Sequence, residues 1–242
     1  MNTKEMQTIP ILKKIAYSQH LHNVFDDFLN MSVASLCLGR DEYRYEERAK
    51  RYSDEEKKLF GKAFGALFLD YETKSQQRNW TDCIGRIFEE LGLSNASTGQ
   101  FFTPESVCNL IANLTHNDVK SGTVNDPSTG SSRNLVAHAR LQPNNRFQFT
   151  YIGQDLDERC CLMSVINFVM YGMKGVVIHC DTLQMEFYKG WRIYLPETGL
   201  MVKPLTAQEC AEYLTYATEK QIEEQQPIIH IPSTFGDQLT LF

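Results

Sequence analysis

One stretch limits the fold of this chain more than any other: Asp126-Pro-Ser-Thr-Gly-Ser-Ser132. A short apolar lead, Thr123–Asn125, runs into it, and a helix is expected to follow from Asn134 to Leu141. Small residues between a strand and a helix let backbone N–H groups approach a bound ligand. The same logic repeats downstream. A strand is expected over Phe147–Ile152, ending in Gly153-Gln-Asp-Leu-Asp157. A helix follows from Glu158 to Tyr171, with Leu162, Val165, Ile166, Val169 and Met170 apolar. A third strand, Gly175–His179, ends in Cys180-Asp-Thr-Leu183. The order β-α-β-α-β predicts a parallel sheet, and such sheets bind ligands outside the carboxyl ends of their strands. Asp126, Asp155 and Asp181 therefore converge on one rim, a pattern suited to a nucleoside ligand.

The chain upstream of this region, residues 1–98, reads as helical. From Ile9 to Leu38 apolar residues recur close to every 3.6 positions, and Gly39 is a plausible stop. Asp41–Lys50 is a charge run that reads as a solvated helix face. Ser53 and Glu56 form the pattern of a capping box. The helix it opens, to about Tyr71, places Leu59, Phe60, Ala63, Phe64, Leu67 and Phe68 on one core face. A further amphipathic helix runs from Asp82 to Leu91 and stops at Gly92. This half reads as an all-α layer with no chemistry of its own. Between the halves, Thr98-Gly-Gln-Phe-Phe-Thr-Pro-Glu-Ser106 is a loop turning into a helix, with Thr103 expected as N-cap and Pro104 as first helical residue.

The 242 residues suit one large domain, or one domain with a helical annex. No apolar run approaches the ~20 residues of a membrane span, and the first residues lack a signal-peptide pattern. The seven scattered cysteines form no C-x-x-C pair and read as reduced, mostly buried thiols of a cytoplasmic protein. The six histidines have no metal-ligand spacing, so no metal is expected. The net charge of −6 is unusual for a protein that grips DNA with its whole surface; a local patch or a partner would have to do that work.

These residues resemble the amino-methylating DNA methyltransferases, above all the modification subunits of type I restriction systems, the N-6 adenine DNA methylase family. Gly99-Gln-Phe-Phe-Thr-Pro104 is similar to the family stretch that holds the methionine carboxylate of S-adenosylmethionine. Asp126–Ser132 is similar to its D-P-x-x-G-S-G loop. Gly153-Gln-Asp155 is similar to the segment whose acid takes the ribose hydroxyls, and Asp181-Thr-Leu183 to the segment whose Asp accepts from the adenine amine. Asp82–Leu91 sits like the family's last N-terminal helix. The resemblance implies an α/β fold, a shortened Rossmann-like S-adenosylmethionine-dependent methyltransferase sheet with an N-terminal helical region. The resemblance covers about residues 80–183, and the chain is expected to divide into a helical region over 1–98, a methyltransferase-like domain over 99–232 and a flexible tail over 233–242. The cofactor residues it implies are Phe101, Thr103, Asp126, Ser128, Gly130, Asp155 and Asp181, with DNA as substrate, directly or through a partner subunit.

Two departures stand out. Ser132 occupies the position of a family glycine; if that position needs a left-handed backbone, Ser costs on the order of 1 kcal/mol or more. Methylating a base amine also requires a flipped base. The family aims that amine with an Asn-Pro-Pro-Phe/Tyr turn after its fourth strand. Here no Asn follows Asn167. The expected fourth strand, Trp191–Leu195, runs into Leu195-Pro-Glu-Thr198, where Tyr194 and Pro196 are the only echoes of the turn, and Tyr194–Thr198 is the place where an acceptor would be sought. No residue is assigned to the chemical step. Beyond it, Gly199–Lys203 reads as a strand, Ala207 to about Glu224 as a helix capped by Thr206, and Ile228–Ile231 as a short apolar segment.

The last residues, Gln238-Leu-Thr-Leu-Phe242, resemble the peptide by which bacterial replication and repair proteins bind the sliding clamp, with Gln238, Leu239, Leu241 and Phe242 as the contacts. The alternative is that Leu241 and Phe242 pack back on the domain. Three functions stay open: a shortened adenine-N6 DNA methyltransferase, a cofactor-binding relative that senses or scaffolds without transferring methyl, and a methyltransferase for another acceptor.

Overall fold

The computed structural model describes residues 6–17, 19–76, 80–93, 102–116, 120–144, 146–196 and 199–215. The expectations placed on Phe101, on residues 197–198, on Ile228–Ile231 and on the Gln238–Phe242 tail lie outside them. The first helices are α1 (Thr8–Ile15), α2 (Leu21–Leu36), α3 (Glu42–Ala49), α4 (Asp54–Gln76), α5 (Cys83–Glu90) and α6 (Glu105–Thr115). The apolar period over Ile9–Leu38 is split into two helices at residues 16–20. α2 ends where Leu38 and Gly39 take left-handed φ of 51° and 81°, so Gly39 stands where a helix stop is expected.

The capping box at Ser53 is real: the Ser53 N–H donates to Glu56 at 2.8 Å and the Glu56 N–H to the Ser53 hydroxyl at 3.4 Å. α4 then runs five residues past Tyr71. Phe60, Ala63, Leu67 and Tyr71 make a narrow buried stripe, but Phe68 is 54% exposed, a correction to the expected core face. Phe68 lies beyond the edge of that stripe, while Phe64, one turn before it, still packs against the core. The charge run on α3 is also more than a solvated face. Arg44 donates to Asp41 and Glu158, each at 2.7 Å, and to Asn30 at 2.8 Å, and Arg48 reaches the buried Asp27 at 3.3 Å. Long cationic side chains here cross to other elements and satisfy carboxylates that burial would otherwise strand.

The sheet contains β1 (Gly122–Asp126), β2 (Phe149–Asp155), β3 (Gly175–Asp181), β4 (Glu186–Tyr194) and β5 (Met201–Thr206), in that spatial order. α7 (Arg133–Leu141) links β1 to β2, and α8 (Glu158–Tyr171) links β2 to β3. β1, β2 and β3 are parallel. β4 turns straight back, antiparallel to β3, and β5 is antiparallel to β4. The fold is thus α/β with a mixed five-stranded sheet, a shortened Rossmann-like arrangement. β2 starts two residues later than expected, because Phe147 lies in a 3-10 turn under the Arg146 guanidinium, 4.1 Å from its ring centre. β4 starts five residues earlier than expected, because a turn rather than a helix follows β3.

Alternation along each strand sends side chains to two cores. Tyr151, Val177, Trp191 and Ile193 face α8 and the N-terminal helices, where Phe25, Phe28, Leu67, Phe88, Val165 and Phe168 are buried. Ile152, Val176, Ile178 and Cys180 face the other side, against Leu205, Cys210 and Tyr213. Residues 207–215 are helical, and Thr206 caps them: its N–H donates to Glu209 at 2.9 Å and the Glu209 N–H returns to its hydroxyl at 3.2 Å. All seven cysteines are buried free thiols, and burial pushes Cys37, Cys83 and Cys210 each up to about 12. No described helix is long and apolar enough to cross a membrane.

Candidate functional site

The three parallel strands carry Asp126, Asp155 and Asp181 to the same end of the sheet, but not to the same level. Asp126 lies opposite Gly153, and Asp155 lies opposite His179, two residues short of Asp181. Each step therefore advances two residues along the strand and one strand sideways. At ~3.3 Å per residue and ~4.8 Å between strands, the Asp126 and Asp181 Cα atoms are roughly 16 Å apart. The rim is a staircase suited to an extended ligand.

Each acid also holds local structure. Asp126 accepts from the Ser128 N–H and the Asn134 amide, both at 3.2 Å, while the Asn134 Oδ1 is buried with no partner. Asp155 accepts from the Gly130 N–H at 2.8 Å through one oxygen and from the Asp157 N–H at 2.9 Å through the other. Burial raises its pKa above the ordinary aspartate value, against the pull of those two N–H groups. Asp181 accepts from the Leu183 and Gln184 N–H groups at 3.0 and 2.9 Å and so closes the β3–β4 turn. A carboxylate has about four acceptor directions, so capacity for a ligand remains at each.

The small-residue loop folds on itself. The Thr129 N–H donates to the Gln154 carbonyl and the Ser132 N–H to the Thr129 carbonyl, both at 2.8 Å. Ser132 adopts φ 72°, ψ 27°, a left-handed conformation that costs a non-glycine residue about 1–2 kcal/mol. Its buried hydroxyl, 3.1 Å from that of Thr129, offsets part of this. Ser128, Gly130 and Asn134 line a cleft whose other wall is Phe102 and Thr103. The two motif segments are thus neighbours. Thr103 is not the helix cap, however. Pro104 is extended at ψ 139° and takes the N-cap position, so α6 begins at Glu105. Thr103 instead offers its carbonyl to Arg133 at 3.4 Å and to the Cys108 thiol at 3.6 Å.

β4 leaves the rim. Because it is antiparallel, Ile193 pairs with Gly175, the first residue of β3, and Tyr194 emerges at the opposite end of the sheet from the three acids. Six residue steps along β3 separate the ends, roughly 20 Å. Tyr194 and Pro196, the echoes of the base-holding turn, therefore do not face the rim. What the rim receives instead is the β3–β4 turn, with Leu183 95% exposed and Met185 held at φ 56°.

Arg133 and Asn167 escape a linear reading, as do the contacts of Asp82 and Ser131 inside segments the sequence singles out; all four residues are buried. The one visible signal is Asn167, an amide in an otherwise apolar stretch of α8. Its amide donates to Asp82 at 2.8 Å and to the Ser131 carbonyl at 2.6 Å, and its oxygen accepts from Tyr71 at 2.6 Å. The N-terminal half thus takes part in building the site.

Residues 79–193 match the family model described as N-6 DNA Methylase. No curated protein matches the chain. Among solved structures, the crystal structure of the type I restriction-modification system methyltransferase subunit from Streptococcus thermophilus aligns at 12% identity and a TM-score of 0.32. The alignment covers 69% of this chain and 54% of that one, so the chain spans about half the length of that subunit.

Proposed function

We propose that this chain, whose residues 79–193 match the N-6 DNA Methylase model, is a member of that family and binds S-adenosylmethionine along the stepped rim without itself supplying the groups that aim a base amine at the methyl. The direction of β4 carries this reading.

The residues present fit the cofactor. The cleft between Phe102–Thr103 and Ser128–Gly130 suits its amino-acid end, beside the start of α7. One step along, Asp155 has an accepting direction left on each oxygen for ribose hydroxyls. A further step along, Asp181 uses Oδ1 for the turn, which leaves Oδ2 for an adenine amine. When bound, S-adenosylmethionine supplies an electrophilic methyl group. Its positive charge suits a rim whose acids bond to N–H and amide groups rather than to cations.

Transfer to an adenine amine needs an acceptor beside that methyl group. Asn167, the last asparagine of the chain, is committed on both sides of its amide to the interior. Tyr194 points its strand end away. The acids of the rim also repel a phosphate backbone, so DNA is held through a partner. On this reading a second polypeptide completes the reaction, or the chain serves as a cofactor-sensing or scaffolding module on DNA. The C-terminal Gln238, Leu239, Leu241 and Phe242 favour the sliding clamp as one such partner.

The test is calorimetric titration of S-adenosylmethionine into the full chain and into Asp155→Ala, with clamp binding compared before and after deletion of residues 238–242. Saturable binding that Asp155→Ala weakens about 30-fold, ~2 kcal/mol, supports the cofactor site. Absence of binding to the wild-type chain refutes it, and clamp binding that survives the deletion refutes the tail's role.

A further inference from the structure

α5 lies outside the sheet, yet one of its faces reaches both walls of the cleft. Asp82, its buried N-cap, accepts from the Gly85 N–H at 2.8 Å, from Arg133 Nε at 2.8 Å and from the Ser131 hydroxyl. Arg86 forks onto Glu105, the first residue of α6, at 2.9 and 2.5 Å. Glu89 accepts from the two terminal nitrogens of Arg133 at 3.1 and 2.6 Å. Positions 82, 86 and 89 are spaced by four and three, so they share one helix face.

Arg133 is the meeting point. Its guanidinium spans Asp82 and Glu89, donates to the Thr103 carbonyl at 3.4 Å, and lies over the Phe102 ring, 5.1 Å from its centre. Burial works against its charge, but the bonds and charges of Glu89 and Asp82 outweigh that and raise its pKa. The planar fork of five N–H groups meets these partners at once, which a lysine ammonium on its flexible stem does not.

We infer that α5 is a brace and Arg133 a positioning residue that sets the gap between Phe102–Thr103 and the Ser128–Ser131 loop. The brace rests on the geometry of these contacts, and its effect on S-adenosylmethionine rests on the cofactor reading above. Arg133 also lines the cleft; in the role inferred here it acts by fixing the two walls beside it.

Hydrogen–deuterium exchange on the full chain, followed by mass spectrometry, tests the brace without a ligand. In Arg133→Lys, peptides covering 102–104 and 128–132 exchange at least tenfold faster than wild type, while the α8 peptide changes less than twofold. Glu89→Gln, at a half-exposed position, accelerates the same two peptides about threefold. S-adenosylmethionine Kd, measured well below the melting temperature, rises about tenfold in Arg133→Lys and about threefold in Glu89→Gln. Equal acceleration in the loop and α8 means a global loss of stability and overturns the inference. So does a loosened loop with an unchanged Kd. If the wild-type chain binds no S-adenosylmethionine, the proposed function falls, and the exchange contrast alone decides the brace.

Discussion

The parallel and antiparallel halves of one sheet do different work. In β1–β3 every strand points the same way, so three acids far apart in sequence arrive at one rim. In β4–β5 the direction alternates, and the segment that echoes a base-holding turn is carried to the far end. The halves share a sheet and cores, and both bury their strand interiors. Strand direction, not composition, decides which half brings its acids to one rim and which carries its end away from it.

Substitutions can break this contrast. The largest expected effect is on the parallel half: Asp155→Ala raises the Kd for S-adenosylmethionine about 30-fold, ~2 kcal/mol for lost charge-assisted bonds. Tyr194→Ala on the antiparallel half leaves that Kd within twofold, and an equal loss from both would dissolve the distinction. Calorimetric titration of both variants checks the pair.

Next is packing. A Cβ at Gly190 of β4 would lie 2.7 Å from the Cys210 Sγ and 2.8 Å from the Val177 carbonyl oxygen. Gly190→Ala should lose about 2 kcal/mol in urea unfolding through overpacking, with ligand affinity of the folded protein unchanged. A Cβ at Gly153 of β2 would meet Thr129 of the loop at 3.2 Å. Gly153→Ala should therefore cost less stability and more affinity, the reverse ranking.

The acidic rim also predicts a pH effect. Burial raises the Asp155 pKa in the folded chain, so the folded state binds that proton more tightly than the unfolded state. Its contribution to stability therefore improves as pH falls through the window between the raised value and the ordinary aspartate value. Ligand binding should weaken over the same fall, because the ribose contact uses the carboxylate. Asp155→Asn removes that part of both pH profiles, which denaturation and calorimetry at stepped pH would register.

The smallest effect is at Ser132. Ser132→Gly relieves a left-handed serine but loses the hydroxyl pair with Thr129, two changes of about 1 kcal/mol each and opposite sign. A melting shift beyond that range would mean the loop is held differently.

Much of the parallel half was legible because its signals are local. Strand, small-residue loop and helix adjoin in sequence, and the capping boxes at Ser53 and Thr206 need only a spacing of three. The left-handed backbone at Ser132 was foreshadowed by the glycine that the resembling family carries there. What stayed hidden depends on space. Nothing near Trp191 announces that β4 runs antiparallel; the absence of a helix between Asp181 and Glu186 is the trace it leaves. Arg133 reads as an ordinary first-turn cation until Asp82 and Glu89, over forty residues upstream, close on it. Arg44 and Arg48 likewise read as surface charges until Glu158 and Asp27 come into reach.

The most direct test is to incubate the purified 242-residue chain with S-adenosylmethionine labelled in its methyl group and with unmethylated bacterial DNA, and to measure cofactor binding in the same preparation. Saturable binding with no label in the DNA is the expected result. Label recovered as N6-methyladenine from the chain alone would contradict it, because an amine acceptor would then have to stand at the rim without β4 supplying it.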